Sequence, residues 1–547
     1  MTFQTSPGIS IAEVDLTTSV PAVSTTTGAI AGVFPWGPTL TPVLVSSEVD
    51  LVKRFGKPVT AFNVETFFTA ADFLSYGNSL FVARANTGVE AVPGGDDGLA
   101  GGLAGFAAKY PGEYGNSLKI QTLSFDAYDS ANASIYTTLK GANRVVNGKP
   151  SANTNLHIVV IDEDGVFTGV ENSILEVYEN VSFSSTAKKA DGTNNYWVDV
   201  INTGSNYIRI TDNPDDTQFA SGMSFSFVDG TNGSDENTIS ASAIVEAYEL
   251  FSSPEDIEVS LMMQGVSSSN TNIASTVTGA IATICESRMD CIAFVSPPRS
   301  AVLVNNAPNS SALTNIVSWA NTMVTSAATD TKTQSYLVMD SGYKYRYDRY
   351  NDTYVYTPLN GDIAGLCART DEVRDPWFSP AGYNRGGIKN VIKLAYNPSK
   401  ADRDELYRKS VNPVVSQTGQ GTVLFGDKTA VQVPSAFDRI NVRRLFIVLE
   451  KAIKRASRST LFEFNDEFTR AQFRNLVEPF LRDVQGRRGI FDFRVVCDET
   501  NNTAEVIDRN EFVGDIYVKP ARAINFIRLN FVAVRSGVEF EEIVGQR

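Results

Sequence analysis

The sequence predicts a multidomain protein of mixed α/β and α+β class, and three observations carry that reading. Its 547 residues exceed the roughly 250–300 at which one hydrophobic core stops growing, so three or four domains are expected. Helical periodicity alternates with short buried-strand runs over residues 23–108 and again over 250–395, the pattern of an α/β domain. Between them, over 109–249, the pattern changes to short alternating segments divided by Asn, Gly, Asp and Ser clusters, which reads as a β-rich peripheral insertion.

Taken in order, residues 1–22 form an extended arm: Ile9 and Ile11 alternate with polar neighbours, and Pro7 and Pro21 exclude helix. GAIAGVF at 28–34 is a buried strand ended by Pro35-Trp36-Gly37-Pro38, and Thr41 to Val45 is a second strand. The next helix is fully punctuated, with Ser47 as cap, Glu48 and Asp50 in the first turn, Lys53 and Arg54 in the last and Gly56 as the stop. A helix over about 64–76 puts Val64, Phe67, Phe68, Ala71 and Leu74 on one face and leads into a strand at 80–83. Within the insertion, LHIVVID, YWVDVINTG and NYIRIT read as strands. IASTVTGAIATICES then reads as a helix, and CIAFVSPP and SYLVMD as buried strands. Tyr343, Tyr345, Tyr347 and Tyr350 interleave with Lys344, Arg346 and Arg349; this predicts a β-hairpin about Asn351-Asp352 with a tyrosine face, in preference to a platform for single-stranded bases.

The region 396–547 holds the clearest periodicity. From Asn441 to Arg458, Val442, Leu445, Phe446, Leu449, Ala452, Ile453 and Ala456 fall within an arc of roughly 120°, while Arg443, Arg444, Lys451, Lys454, Arg455 and Arg458 fill the opposite arc. Residues 438–488 contain twelve Lys or Arg against seven Asp or Glu, and Glu450 is the one acid between Arg439 and Glu463. A second helix from about Asp466 buries Phe473, Leu476, Val477, Phe480, Leu481 and Val484, with Pro479 expected to bend it. Strands are expected at 490–496 and around 524–534, with one more in VEFEEIVGQR.

Composition narrows function by exclusion. Hydrophobic residues at 42% and charged residues at 20% describe an ordinary folded protein, and no apolar run reaches the ~18 residues of a membrane span. The N-terminal residues carry no secretory pattern, so maturation in the cytoplasm is expected. A formal charge of -15 opposes wholesale nucleic-acid binding. Cys285, Cys291, Cys367 and Cys497 show no CxxC spacing and are expected to be reduced and mostly buried. His157 is the sole histidine and lies in a strand pattern, so neither a histidine-based catalytic triad nor a zinc site has its ligands. In GTVLFGDKT, Asp427 intervenes between the second Gly and the Lys, placing a carboxylate where a phosphate loop needs an anion nest. The clusters Asp162-Glu163-Asp164-Gly165 and Asp212 with Asp215-Asp216 lack the full calcium-loop pattern and read as turns. No catalytic, metal or cofactor site is expected; a carboxylate-dependent enzyme is the distant alternative.

Three groups of residues point further. Residues 6–56 contain SPGISIAEVD, GAIAGVFPWGP and SSEVDLVKRFG, and residues 436–535 contain AFDRINVRRLFIVLEKAIKRASR, FEFNDEFTRAQF and RRGIFDFRVVCDETNN. Between them Pro358, Gly361, Ala364-Gly365, Ala368-Arg369-Thr370-Asp371, Trp377 and Pro380-Ala381-Gly382 follow in order. Together these resemble the sheath proteins of contractile bacteriophage tails. The resemblance implies an inner α+β domain built from both chain ends (the arm 1–22 with 396–547), a middle α/β domain (23–108 with 250–395) and an outward insertion (109–249). It implies a structural subunit of the virion tail, assembled in the host cytoplasm, polymerising as stacked hexameric rings around a tail tube and contracting to drive that tube through the host envelope. Implied partners are further copies of the chain, the tail tube protein, and baseplate and tail terminator proteins, with no direct nucleic acid and no stable membrane insertion. Implied contacts are the tube for Arg443, Arg444, Lys451, Lys454, Arg455 and Arg458, and strand exchange between subunits for Gly8, Ile9, Ile11, Val14, Val538 and Phe540. The sheath of a genome-free contractile injection particle would share this architecture.

Overall fold

A computed structural model describes residues 24–86, 88–93, 105–125, 150–211, 223–265 and 271–525. Its centre is a seven-stranded sheet in the order Val411–Asn412, Leu337–Asp340, Ile292–Val295, Leu261–Met263, Gly28–Gly32, Leu80–Arg84 and Val43–Val45. Neighbours are parallel except at the Val43–Val45 edge, and the central strands are buried on both faces, which explains why they read as continuous apolar runs. Gly28 pairs with Leu261 on one side and Leu80 on the other, so the two α/β stretches on either side of the insertion share one sheet.

Helices cover both faces. Val64–Leu74 and Asn360–Val373 pack together on one side, and Ala241–Glu249 packs with Thr271–Arg288. The crossover through Val64–Leu74 runs one way along the sheet, from Gly28–Gly32 to Leu80–Arg84. The crossover through Ala241–Glu249 runs the other way, to Leu261–Met263, and right-handedness therefore puts these helices on opposite faces.

The insertion leaves this layer after Asn86 and returns at Asn232, where the Asn86 amide donates to the Asn232 carbonyl at 2.7 Å. Its antiparallel sheet runs Val92–Pro93, Met223–Val228, Leu118–Ser124, Asn155–Asp162 and Ser173–Ser182, over a separate core of Ile120, Ile158, Val160, Trp197, Ile201 and Phe227. Trp36, from the turn after the first strand, enters that core against Tyr110 and Phe167. Four expectations need correction. The insertion's sheet begins at Val92 rather than after 108, and the Ala241–Glu249 helix, assigned to the insertion, belongs to the large core through Ile244, Ala247 and Tyr248. The central sheet also runs past residue 395, because Val411–Asn412 forms its far edge. YWVDVINTG is the helix Trp197–Gly204, in which Trp197 and Ile201 stand one turn apart on the buried side.

A third core joins the helices Ile440–Ser457 and Glu467–Gly486 to the hairpin of Ile490–Val496 and Asp515–Pro520, around Leu445, Leu449, Phe473, Val477, Leu481 and Val484. The second helix continues through Pro479. Trp377 reaches into this core and donates its indole N–H to the Arg487 carbonyl at 3.1 Å. All four cysteines are buried and form no disulfide with one another. The strand expected around 524–534 and the one in VEFEEIVGQR lie outside the described residues, save for 524 and 525.

Candidate assembly interface

The basic helix Ile440–Ser457 begins at Arg439, whose guanidinium meets Asp427 Oδ1 at 3.0 Å. Asp427 is buried and also accepts from Tyr407 Oη at 3.2 Å and Ser379 Oγ at 3.1 Å. The GTVLFGDKT segment is therefore an anchor for this helix, its strand Gly421–Leu424 forming a hairpin with Val414–Gln417.

The helix is clamped at its root. Ile440 and Ile447 enter the large core, while Leu445, Val448 and Leu449 enter the C-terminal core, so the first turns are covered on both sides. That sandwich takes Arg443 and Arg444 out of the exposed face the periodicity suggests. Arg443 lies between the rings of Tyr336 and Phe437, at 4.2 and 4.0 Å, and Arg444 pairs with Asp371 at 2.5 Å and donates to the Cys367 carbonyl at 3.3 Å. Both are committed within the subunit.

Further along, Lys451 and Arg455 share Glu258 at 2.9 and 3.1 Å. Burial alone would raise the Glu258 carboxyl, but these two cations hold it below its ordinary value. Lys454 and Arg458 are exposed and take no ion-pair partner among the described residues. All four line a groove of about 960 Å³ between the helix tip, the loop at Glu255, Asp256 and Glu258, and Ile516 and Val518 of the last described strand. The tip presents charge, and the groove beside it is walled by both signs.

The hairpin of Ile490–Val496 and Asp515–Pro520 has no third strand among the described residues, and Phe491 and Tyr517 stand 69% and 62% exposed. Next to the helix tip, Leu461, Phe462, Phe464 and Phe468 are also exposed. An unpaired strand edge with apolar side chains is a template for an added strand. Gly8, Ile9, Ile11, Val14, Val538 and Phe540, the residues expected to exchange, lie outside the described residues.

The remaining sequence candidates take structural roles. The Nδ1 of His157 accepts from the Asn180 N–H at 2.9 Å within the insertion sheet. Asp162 accepts from Ser117 Oγ and from the N–H groups of Phe167 and Thr168, which makes its cluster a turn. Asp212, Asp215 and Asp216 lie outside the described residues. The tyrosine-rich segment is the predicted hairpin, Tyr343–Asp348 with Thr353–Pro358, and Tyr345 stacks on Tyr354 at 5.5 Å. Sequence reasoning missed that Lys344 and Arg346 point inward, to Asp72 and Asp362, because those acids lie in distant helices.

Comparison with known proteins adds independent findings. Three family profiles match: the tail sheath protein Gp18 domain III N-terminal region over residues 25–85, the phage tail sheath protein central domain over 237–430, and the phage tail sheath C-terminal domain over 432–533. The chain is 34% identical to the tail sheath protein of Enterobacteria phage T4 and 35% identical to that of Vibrio phage KVP40, in each case over 99% of both chains. Among solved structures, the sheath tail protein Lin1278 of Listeria innocua superposes with a TM-score of 0.55 at 13% identity, over 91% of this chain and 96% of that one. The contracted helical sheath of the anti-feeding prophage gives 0.53 at 14% identity, over 96% and 98%.

Proposed function

This chain belongs to the phage tail sheath family, and from that premise we propose that copies of it stack as hexameric rings around a tail tube and contract to drive the tube through a host envelope for genome delivery. It is a contractile tail sheath subunit, a structural component of the virion tail and not an enzyme. Similarity along the full length of phage sheath proteins carries this conclusion, and it favours a phage tail over a genome-free injection particle. Sheaths of this kind assemble helically.

In our reading the domain of the Ile440–Ser457 helix lies innermost, the seven-stranded layer forms the middle and the insertion faces outward. The contact with the tube then rests on Lys454 and Arg458, which are exposed, with Lys451 and Arg455 behind them, whereas Arg443 and Arg444 brace the helix from within. Gly8, Ile9, Ile11, Val14, Val538 and Phe540 belong to segments that add strands to the open hairpin of a neighbouring subunit, a role suited to main-chain hydrogen bonds that persist while subunits reorient. The ends of the sleeve meet baseplate and terminator proteins. The test is co-assembly: with purified tube, the wild-type chain should form sleeves visible by electron microscopy, and Lys454→Glu with Arg458→Glu should abolish decoration of the tube while leaving the subunit folded. Unimpaired decoration would refute the tube contact.

A further inference from the structure

Resting on the reading of the chain as a self-assembling sheath subunit, we infer that the basic, tyrosine-edged face around Arg369, Arg374, Lys389 and Lys393 of one copy docks on the acidic face at Glu246, Glu249, Glu255 and Asp256 of the next copy.

The basic face is built from two elements. Arg369 and Arg374 stand exposed at the end of the Asn360–Val373 helix, Lys389 stands exposed on the loop that follows and Lys393 on the short strand Lys393–Leu394 paired with Tyr343–Asp348, with Arg385 half-buried on the same loop. None of the five takes part in an ion pair among the described residues, although the same regions hold the pairs Arg444–Asp371 and Arg487–Asp375. They crowd one another instead. Lys389 is held below its ordinary value by partial burial and then by Arg369, against the smaller opposing pull of Asp362 and Glu372, and Arg385 by partial burial and then by Arg374. Apolar surface lies among these charges: Ile392, Tyr354 and Tyr383 are 60%, 54% and 50% exposed, and the Lys393 ammonium sits 4.7 Å from the Tyr345 ring. Exposed aromatic surface beside cations that repel one another has the composition of a contact awaiting its complement.

The complement is present in the same molecule. Glu246 and Glu249 stand exposed within one turn of the Ala241–Glu249 helix, and Glu255 and Asp256 are exposed in the loop after it. None of the four is in an ion pair among the described residues: Lys451 and Arg455 are both taken by Glu258, and Lys454 and Arg458, which line the same groove as Glu255 and Asp256, form no ion pair with them.

Position decides how the two faces meet. Asn360–Val373 and Ala241–Glu249 cover opposite faces of the seven-stranded sheet, so within one copy the sheet stands between the two patches. Patches that differ from one another cannot close a two-fold dimer by pairing like with like. They form a head-to-tail contact, which propagates into a ring or a helix. That is the symmetry a sleeve requires.

A charge swap tests the contact. Lys389→Glu with Lys393→Glu, and separately Glu246→Lys with Glu249→Lys, should each raise the concentration needed for sleeve formation at least about tenfold, since like charges then face each other. The four substitutions together should restore it towards the wild-type value. Arg369→Glu and Arg374→Glu against Glu255→Lys and Asp256→Lys form a second, independent swap if one of the first variants fails to fold by circular dichroism. Sleeves formed at the wild-type concentration by the charge-reversed pairs, or no rescue in the combined variant, would overturn the contact alone. A wild-type chain that forms no sleeves under any condition would overturn the sheath reading, and this contact with it.

Discussion

Lys344 has no contact with solvent; its ammonium is held by Asp72 at 3.0 Å and Asp362 at 2.8 Å, both carboxylates fully buried. Arg346, stacked on Phe68, supplies the second positive charge through Asp72. Burial pushes the Asp362 carboxyl up to about 7 even with Lys344 beside it, so the cluster tolerates no loss of a cation. Lys344→Met should destabilise the protein by about 3–5 kcal/mol, because it leaves buried carboxylates uncompensated, and adding Asp362→Asn should recover part of the loss. Urea unfolding followed by tryptophan fluorescence measures both; an unchanged midpoint for Lys344→Met would exclude the role. The alternation of tyrosine with lysine and arginine was enough to read a hairpin. It could not say which side faces in, since that depends on Asp72 and Asp362, which meet the strand only in three dimensions. Periodicity places Arg443 and Arg444 on the open arc for the same reason: it reports one packed face, and this helix is packed on two.

At the scale of elements, local signals served best where they are self-contained. Ser47 Oγ accepts the Asp50 N–H at 3.2 Å and Gly56 adopts φ 84°, so both ends of the Glu48–Phe55 helix are where capping chemistry put them. YWVDVINTG reads as a strand yet folds as the Trp197–Gly204 helix, because residues four apart, such as Trp197 and Ile201, share a face in both and so short a run does not separate the two periods. Contact between the helices Asn360–Val373 and Val64–Leu74 depends on Gly361, where a Cβ would lie 2.3 Å from the Thr69 carbonyl oxygen. Gly361→Ala should therefore cost about 1–3 kcal/mol by forcing the helices apart, although helix propensity alone favours alanine. Thermal unfolding decides between the two effects by the sign of the shift in Tm.

For the molecule as a whole, the resemblance carried by the two chain ends and the 358–382 segment was sufficient to name the family, while domain limits were displaced. Those limits are set by which core a segment joins, and the Ala241–Glu249 helix and the Val411–Asn412 strand give no local sign that they join the central sheet. Charge is also divided unevenly: residues 88–231 hold eighteen Asp or Glu against eight Lys or Arg, a large part of the chain's -15. If the N-terminal arm stitches subunits together, removal of residues 1–20 should give soluble monomers by analytical ultracentrifugation, with an unchanged circular dichroism spectrum; normal polymerisation of the truncated chain would dismiss the arm. The Ile440–Ser457 helix, gripped at its base by two cores and open at its tip, behaves mechanically as a cantilever set in masonry. If the tube pulls on Lys454 or Arg458, as proposed, the load enters the subunit at that foundation, where the two cores share it.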